Sequence, residues 1–395
     1  MVIVVGTHPI EIIPPVLSFF QIVKSKGEDV AYVGLTYTEK SVKCLRESCI
    51  PFRHMTRWPC VKLVEHPVRR IWNWVKEKFG WQYSVMAYEV RRREFLWKGI
   101  RDLSHGDTHD MIIVSLNMTT VALLGDLALK FGKRHIHWAL ELGDENGIGW
   151  DGFEVCSFRQ TATFVVSEIN RARILMETWH LPKMPFILPN KSCGHPRMRC
   201  LPVSDPRAAK VVERWKGKKV FLYQGSLCAD RNGIFEVLSW LCEAFPDCIV
   251  AVMTGMVSPL IKVLSEKYSN FVKVPYVVAP HHLEVTSHAT VGIAVYSVQK
   301  VGELSPLNAL YCAPNKTFEY SGFGIPLLCN DVPGLVETVG TAGAAECVAL
   351  ERSAMIKAAH RILYDYERFS ECAISFFESV DEGKIINEIL SFARS

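Results

Sequence analysis

Short apolar runs alternate along this chain with longer stretches whose apolar positions recur every three or four residues. Val2–Val5, Asp29–Val33, Met111–Ser115, His135–Leu140 and Thr163–Val166 each read as a buried strand. Between them Pro14–Lys26, Thr119–Phe131 and Ile169–Glu177 carry helical periodicity. A parallel sheet needs such crossovers, because its strands cannot be joined by tight hairpins. The pattern lapses from Asn190 to Arg207, where Gly194, Pro196, Pro202 and Pro206 interrupt any period, and this stretch reads as a linker. It then restarts with strands at Val220–Gln224, Ile249–Met253, Phe271–Val274, Val291–Val295 and Pro326–Asn330. Helices are expected at Gly233–Phe245, Pro259–Tyr268, Met355–Arg368 and Glu371–Ala393. The fold class is therefore α/β, with two Rossmann-like domains facing each other across a cleft. Residues 1–195 form the first domain and 205–377 the second.

Composition narrows the class. At 395 residues the chain is longer than one ordinary core, and 49% hydrophobic with 22% charged residues describes a folded protein. The net charge of +4 hides an uneven spread, since residues 51–101 hold 12 Lys/Arg against 4 Asp/Glu. Thirteen cysteines without a CxxC pair suit reduced thiols in a cytosolic compartment. Cys193, His195 and Cys200 come nearest to a metal cluster but fit no common zinc spacing, so no metal is expected. Met1–Val5 lacks the basic flank of a signal peptide and reads as the first strand. No apolar run has the length of a transmembrane helix. There is no GxGxxG fingerprint.

Candidate chemistry concentrates in Ala313–Leu328. Pro314 and Asn315 suit a helix entry, Lys316 adds a cation, Glu319 follows one turn on, and Gly324 ends the helix before an apolar strand. A diphosphate on the helix start and a carboxylate accepting from ribose hydroxyls would use these groups. About 90 residues upstream, strand Val220–Gln224 runs into Gly225-Ser226-Leu227, with Arg231 and Gly233 beyond. A glycine at a strand end lets a ligand approach the backbone, and Arg231 would join Lys316 in neutralising a leaving diphosphate.

These two elements, in this order and spacing, resemble the donor-site signature of GT-B glycosyltransferases of the GT4-like branch. The resemblance extends in layout over nearly the whole chain, with its specific motifs between residues 223 and 339. It implies a nucleotide-diphosphate sugar as donor, UDP- or GDP-type, with no cofactor. It also implies transfer to a hydroxyl of a glycan or lipid-linked saccharide in polysaccharide or cell-envelope synthesis, metal-independent and with retention of configuration. It further implies that a final helix, about 378–395, packs back on the first domain. In the family the segment matching Val274–Val277 holds the nucleobase, so Tyr276 and Val277 are assigned there, Tyr276 either stacking on a base or serving as core. Many members carry two glutamates with seven residues between them. Here the second is Glu319, but Tyr311 stands at the first, which leaves the sugar and the stereochemical outcome open; Asn308 and Asn315 are candidate substitutes.

In the first domain, Glu141 ends a strand and is the candidate for binding or deprotonating the acceptor, alternatively for holding the donor sugar. His8 follows the first strand and Asn117 the Met111–Ser115 strand, and both are candidates for the same cleft. His281 and His282 are expected to face solvent. Residues 57–101 interleave Arg91, Arg92, Arg93 and eight further cations with Trp58, Trp72, Trp97 and other aromatics. Such a mixture suits an anionic membrane surface, giving a peripheral protein on the inner face of the cell membrane. Core tryptophans beneath a solvated basic face are the alternative, and no nucleic-acid motif is present. Two other functions share this architecture: a sugar-nucleotide 2-epimerase, and a degenerate protein that binds a nucleotide sugar without transferring it.

Overall fold

The structure, a computed structural model, describes residues 1–8, 10, 13–36, 38–55, 82–124, 126–142, 153–227, 233–297 and 306–395, with backbone only at 82–89, 122, 126–128 and 153–156. Among them, strands β1 (Val2–Gly6), β2 (Val30–Gly34), β3 (Phe52–His54), β4 (Ile112–Ser115), β5 (His135–Ala139), β6 (Thr163–Val166) and β7 (Phe186–Ile187) form one sheet. Strands β8 (Val220–Gln224), β9 (Ile249–Met253), β10 (Phe271–Val274), β11 (Val291–Ala294), β12 (Leu327–Asn330) and β13 (Ala345–Val348) form the other. Every pairing is parallel. The orders are β3-β2-β1-β4-β5-β6-β7 and β10-β9-β8-β11-β12-β13. The order reverses direction between β1 and β4 and between β8 and β11. Crossovers splay apart there and leave a crevice at the strands' carboxyl ends.

Alternation along each strand explains why both faces are apolar. Ile3 and Val5 of β1 enter one core, while Val2 and Val4 enter another. In β8, Phe221 and Tyr223 point to one core and Val220 and Leu222 to the other. Three strands lie outside the sequence expectation: β3, β7 and β13. All sit at or beside a sheet edge and are largely half-buried, so they lack the apolar run by which central strands declare themselves. The helix expected over Thr119–Phe131 is two helices, Met118–Leu124 and Asp126–Phe131.

The C-terminal helical region divides differently from the sequence expectation, into Arg352–Tyr364, Tyr366–Glu378 and Glu382–Arg394. Asp381 caps the last of these by accepting from the Lys384 N–H at 2.9 Å. Ile386, Ile389, Leu390 and Ala393 recur on one face of that helix and join Val2, Val4, Phe19 and Phe20 in a first-domain core. An Arg394–Glu28 pair at 2.8 Å closes its far end. The chain thus crosses between domains twice, once through the linker and once through residues 379–381. No described helix is long and apolar enough to cross a membrane.

Candidate nucleotide-sugar cleft

The signature segment forms a short helix, Asn315–Ser321, preceded by Pro314 in extended conformation. Phe318 and Tyr320 are buried, and the Tyr320 hydroxyl donates to the Leu222 carbonyl at 2.7 Å, fixing the helix against β8. Lys316 and Glu319, one turn apart, then share the face toward the β8–β11 crevice. The Lys316 ammonium lies 4.2 Å from the Tyr223 ring centre and 5.7 Å from that of Tyr296. Gly225, at φ +132°, turns its bare Cα toward that cation, and a Cβ there would sit 3.3 Å from Nζ. Lys316 and Gly225 are therefore brought together at the crevice. Asn315 is half-buried at the first turn, and Ser226 is exposed beside them. The Tyr223 hydroxyl donates to the Ser226 carbonyl at 2.8 Å.

Glu319 is the most constrained group of the site, 8% exposed. One carboxylate oxygen accepts from Gln224 and the other pairs with His282 Nε2 at 3.1 Å. Gln224 in turn accepts from the Thr286 hydroxyl at 2.6 Å. Burial opposes ionisation of Glu319, but His282, Gln224 and Lys316 outweigh it and hold the carboxyl below the usual range. A carboxylate offers about four lone-pair positions, so these two partners orient it without exhausting it. His282 thus departs from the expectation that it faces solvent, being drawn inward by the buried carboxylate. His281 remains outside, paired with Glu284 at 2.8 Å.

Tyr276 is 52% exposed, which rules out the core alternative. Its ring lies over Gly255, where a Cβ would meet it at 3.3 Å, while Val277 is buried beneath. The underlying reason is position: Tyr276 follows the end of β10, the edge strand, where side chains clear the sheet.

In the first domain the β1–β4 crevice gathers Thr7, His8 and Asn117. Asn117 Nδ2 donates to the Thr7 hydroxyl at 2.5 Å and lies 3.5 Å from His8 Nδ1. Glu141, just past β5, is 58% exposed, with Arg171 at 3.7 Å. Burial raises the Tyr296 phenol well above its ordinary range, and Cys312, Tyr223 and Glu141 add to the rise. The Leu142 N–H donates to Asn308 Oδ1 at 3.0 Å, which brings the loop bearing Glu141 against the second domain. Arg231 lies outside the described residues, as do 57–81 of the basic aromatic stretch. In the described part of that stretch, Arg91, Arg93 and Lys98 are exposed, but Phe95 and Trp97 pack on the first-domain core. For these two rings the core reading replaces the lipid-facing one, because they flank the buried stripe of Leu96 and Ile100 on either side and pack against the same core.

Sequence reasoning missed two contributors. Arg171, on the helix Ile169–Thr178, reaches across the cleft to Asn308 and Tyr311. His195 packs on Phe323 and Phe377 and joins the linker to the signature helix. Its Nδ1 accepts from the Arg197 N–H at 3.0 Å, so Nε2 carries the proton and donates to the Glu319 carbonyl at 3.0 Å. Gly322 makes room for this ring, since a Cβ there would fall 2.7 Å from it. Burial pushes the imidazole down to about 4. Cys193 instead hydrogen-bonds Gln21, and among the described residues no group of three or more His, Cys, Asp or Glu is arranged to hold a metal.

No protein-family model matches the chain, and no curated protein matches it by sequence. Solved structures do match in fold. A glycosyltransferase from Rickettsia africae superposes with a TM-score of 0.64 over 99% of this chain and 97% of its own, at 10% identity. Anabaena HepE, solved in complex with UDP and glucose, gives 0.62 over 99% and 98% at 9% identity. A UDP-GlcNAc 2-epimerase from Neisseria meningitidis bound to UDP-GlcNAc gives 0.55 over 99% of both chains at 12% identity. The chain has the GT-B fold of two parallel-sheet α/β domains, and at these identities the likeness is one of fold.

Proposed function

We propose that this protein is a glycosyltransferase that moves a sugar from a nucleotide-diphosphate sugar, UDP- or GDP-type, to a hydroxyl of a glycan or lipid-linked saccharide. The observation that carries the reading is the Lys316 ammonium held at the reversal of the second sheet against the bare face of Gly225. A departing diphosphate gathers charge as the glycosidic bond breaks, and a fixed cation where a phosphate can approach backbone meets that need. The preorganised Glu319 carboxylate has lone pairs left for a ribose diol. Tyr276, exposed over Gly255, offers a face for the base, with Val277, Ser226 and Asn315 around the remainder of the nucleotide. From the opposite domain, Glu141 takes the acceptor hydroxyl, with His8 and Asn117 at the neighbouring crevice. The resemblance to GT4-like enzymes supports retention, in which a donor phosphate oxygen accepts the acceptor's proton and no metal is needed. Arg231 would add a second cation. The outward basic face of Arg91, Arg93 and Lys98 supports docking on the anionic inner face of a membrane that holds a lipid-linked acceptor.

A second reading, a sugar-nucleotide 2-epimerase, is kept because epimerase structures share the fold over almost the whole chain. Thermal-shift measurement against UDP, GDP, CMP and dTDP sugars tests both. Stabilisation by one nucleotide family, reduced in Glu319→Ala, is the expected result. Conversion of the bound sugar to an isomer without acceptor would favour the epimerase. Binding of a nucleotide sugar with neither transfer nor hydrolysis would favour the degenerate binder, and absence of stabilisation by every nucleotide would remove the transferase reading.

A further inference from the structure

The loop that feeds the signature helix is held largely by residues of the other domain. Arg171, 3% exposed, donates Nε–H to the Tyr311 carbonyl at 2.7 Å and Nη2–H to Asn308 Oδ1 at 2.9 Å. The same guanidinium donates Nη1–H to the Leu140 carbonyl at 2.6 Å, next to Glu141. Asn308 Oδ1 also accepts from the Leu142 N–H at 3.0 Å. Two further contacts cross in parallel. Asn190 Nδ2 donates to the Ala313 carbonyl, and Asn170 Nδ2 to Glu337, each at 2.7 Å. One planar fork therefore grips the loop bearing Glu141 and the loop leading to Lys316 simultaneously. Arginine suits this because its five N–H donors are fixed in one plane, whereas a lysine ammonium is a single point.

We propose that Arg171 is a positioning residue that sets cleft closure by locking the Leu140–Leu142 loop to the Asn308–Tyr311 segment. The proposal rests on the transferase reading for its catalytic consequence, not for the lock itself. Tyr311 occupies the position where the resembled family often has a sugar-facing glutamate. In this chain that segment is placed by a contact across the cleft, so the sugar end of the donor site is complete only when the domains are together. The nucleotide end, built from Gly225, Lys316 and Glu319, lies within the second domain and does not depend on the lock. Loss of Arg171 should separate the two ends functionally.

The test compares wild type with Arg171→Lys and Asn308→Ala, the second variant guarding against misfolding of the first. Small-angle scattering reads domain separation, calorimetry reads affinity for the nucleoside diphosphate identified by thermal shift, and turnover is measured with its sugar. Both variants should show a broader pair-distance distribution and turnover reduced at least tenfold, with diphosphate affinity unchanged within about twofold. Arg171→Lys keeps the charge, so its failure to rescue assigns the effect to the fork. Scattering curves identical to wild type would overturn the lock, and broadened scattering with unchanged turnover would overturn its catalytic consequence. If wild type binds no nucleoside diphosphate, the transferase reading fails while the scattering comparison still decides the lock.

Discussion

The carboxyl ends of the two sheets are built to opposite specifications. At the second sheet, Glu319 is enclosed by Gln224, His282 and Thr286, Lys316 lies on Tyr223, and Tyr320 bolts the helix to β8. At the first, His8 is exposed, Glu141 is more than half exposed, and Asn117 is held chiefly by short side chains of its own crevice. A buried carboxylate with fixed partners keeps one geometry and one charge state, since reorganisation would strand polar groups away from water. Exposed groups reorient at little cost. Under the proposed function, this contrast matches a donor end that must hold one nucleotide rigidly and an acceptor end shaped by whichever saccharide enters.

The largest effect that probes this contrast should come from Glu319→Ala. Removing the carboxylate leaves Gln224 and His282 without their partner, and each buried polar group left unsatisfied costs about 1–3 kcal/mol of stability. Nucleotide affinity should fall by a further ~1–3 kcal/mol, as for a lost charged hydrogen bond. Denaturant melts and calorimetry separate the two, and Glu319→Gln should retain part of the stability. A stability loss no larger than that of a surface substitution would erase the distinction between the two ends.

Acid should act next, through His195. Its folded pKa of about 4 lies below the ordinary value of 6.5, so the fold favours the neutral ring. The associated stability is present above pH 6.5 and is lost as pH falls through 4. The fall from 6.5 to about 4 corresponds to at most ~3 kcal/mol, since the ring keeps some solvent contact. His137, pushed down to about 3 by burial, acts in the same direction inside the first domain. His195→Phe preserves packing on Phe323 and Phe377, and its stability should depend less on pH between 6.5 and 4. An unaltered acid limb would remove His195 as the pin of the signature helix.

Much of this architecture is legible from the chain. Strands β6, β8 and β9 match their apolar runs residue for residue, because inner strands of a parallel sheet are buried on both faces, and the edge strand β10 matches its shorter run as well. Lys316, Glu319 and Gly225 stand out as a spaced set, and the structure assembles Lys316 and Gly225 at one crevice. What stays illegible depends on partners distant in sequence. His282 looks like a surface residue until Glu319 arrives from the signature helix. Arg171 carries no local signal, since its acceptors are carbonyls on both sides of the cleft. Tyr276 could not be placed because exposure at a strand exit depends on what the neighbouring strand offers, here the open face of Gly255.

Glu382 provides a control for the enclosed carboxylate. It is buried where the two interdomain crossings meet, with the Lys191 ammonium 4.0 Å away. That ammonium donates to the carbonyls of Phe377 and Val380 at 2.8 and 2.6 Å. Burial raises Glu382 to about 7, Lys191 opposing and Asp381 adding to the rise, whereas Glu319 is lowered. A carboxyl raised in the fold gives stability that is full below pH 4.5 and lost as pH climbs through 7. Glu382→Gln should therefore gain about 2 kcal/mol at pH 8 and nothing at pH 4, read from denaturant midpoints. A loss at pH 8 would mean that the Lys191 pair outweighs burial at the hinge as His282 and Gln224 do at the donor end.

The smallest change in stability is expected at the first sheet. Asn117→Ala removes donation to the Thr7 hydroxyl and the cap in which Asn117 Oδ1 accepts from the Thr120 N–H, but water reaches this crevice and replaces part of what is lost. A cost near 1 kcal/mol follows, at the level of an ordinary helix cap. Nucleotide affinity should stay at the wild-type value, because every donor-end group lies in the other domain, while turnover with acceptor falls. The pair of measurements is what matters: Glu319→Ala weakens nucleotide binding and folding strongly together, and Asn117→Ala spares binding and costs folding little while slowing transfer. If Asn117→Ala instead weakened nucleotide binding as strongly as Glu319→Ala, the nucleotide would have to span both crevices. The division into a rigid donor end and an adaptable acceptor end would then give way to a single shared site.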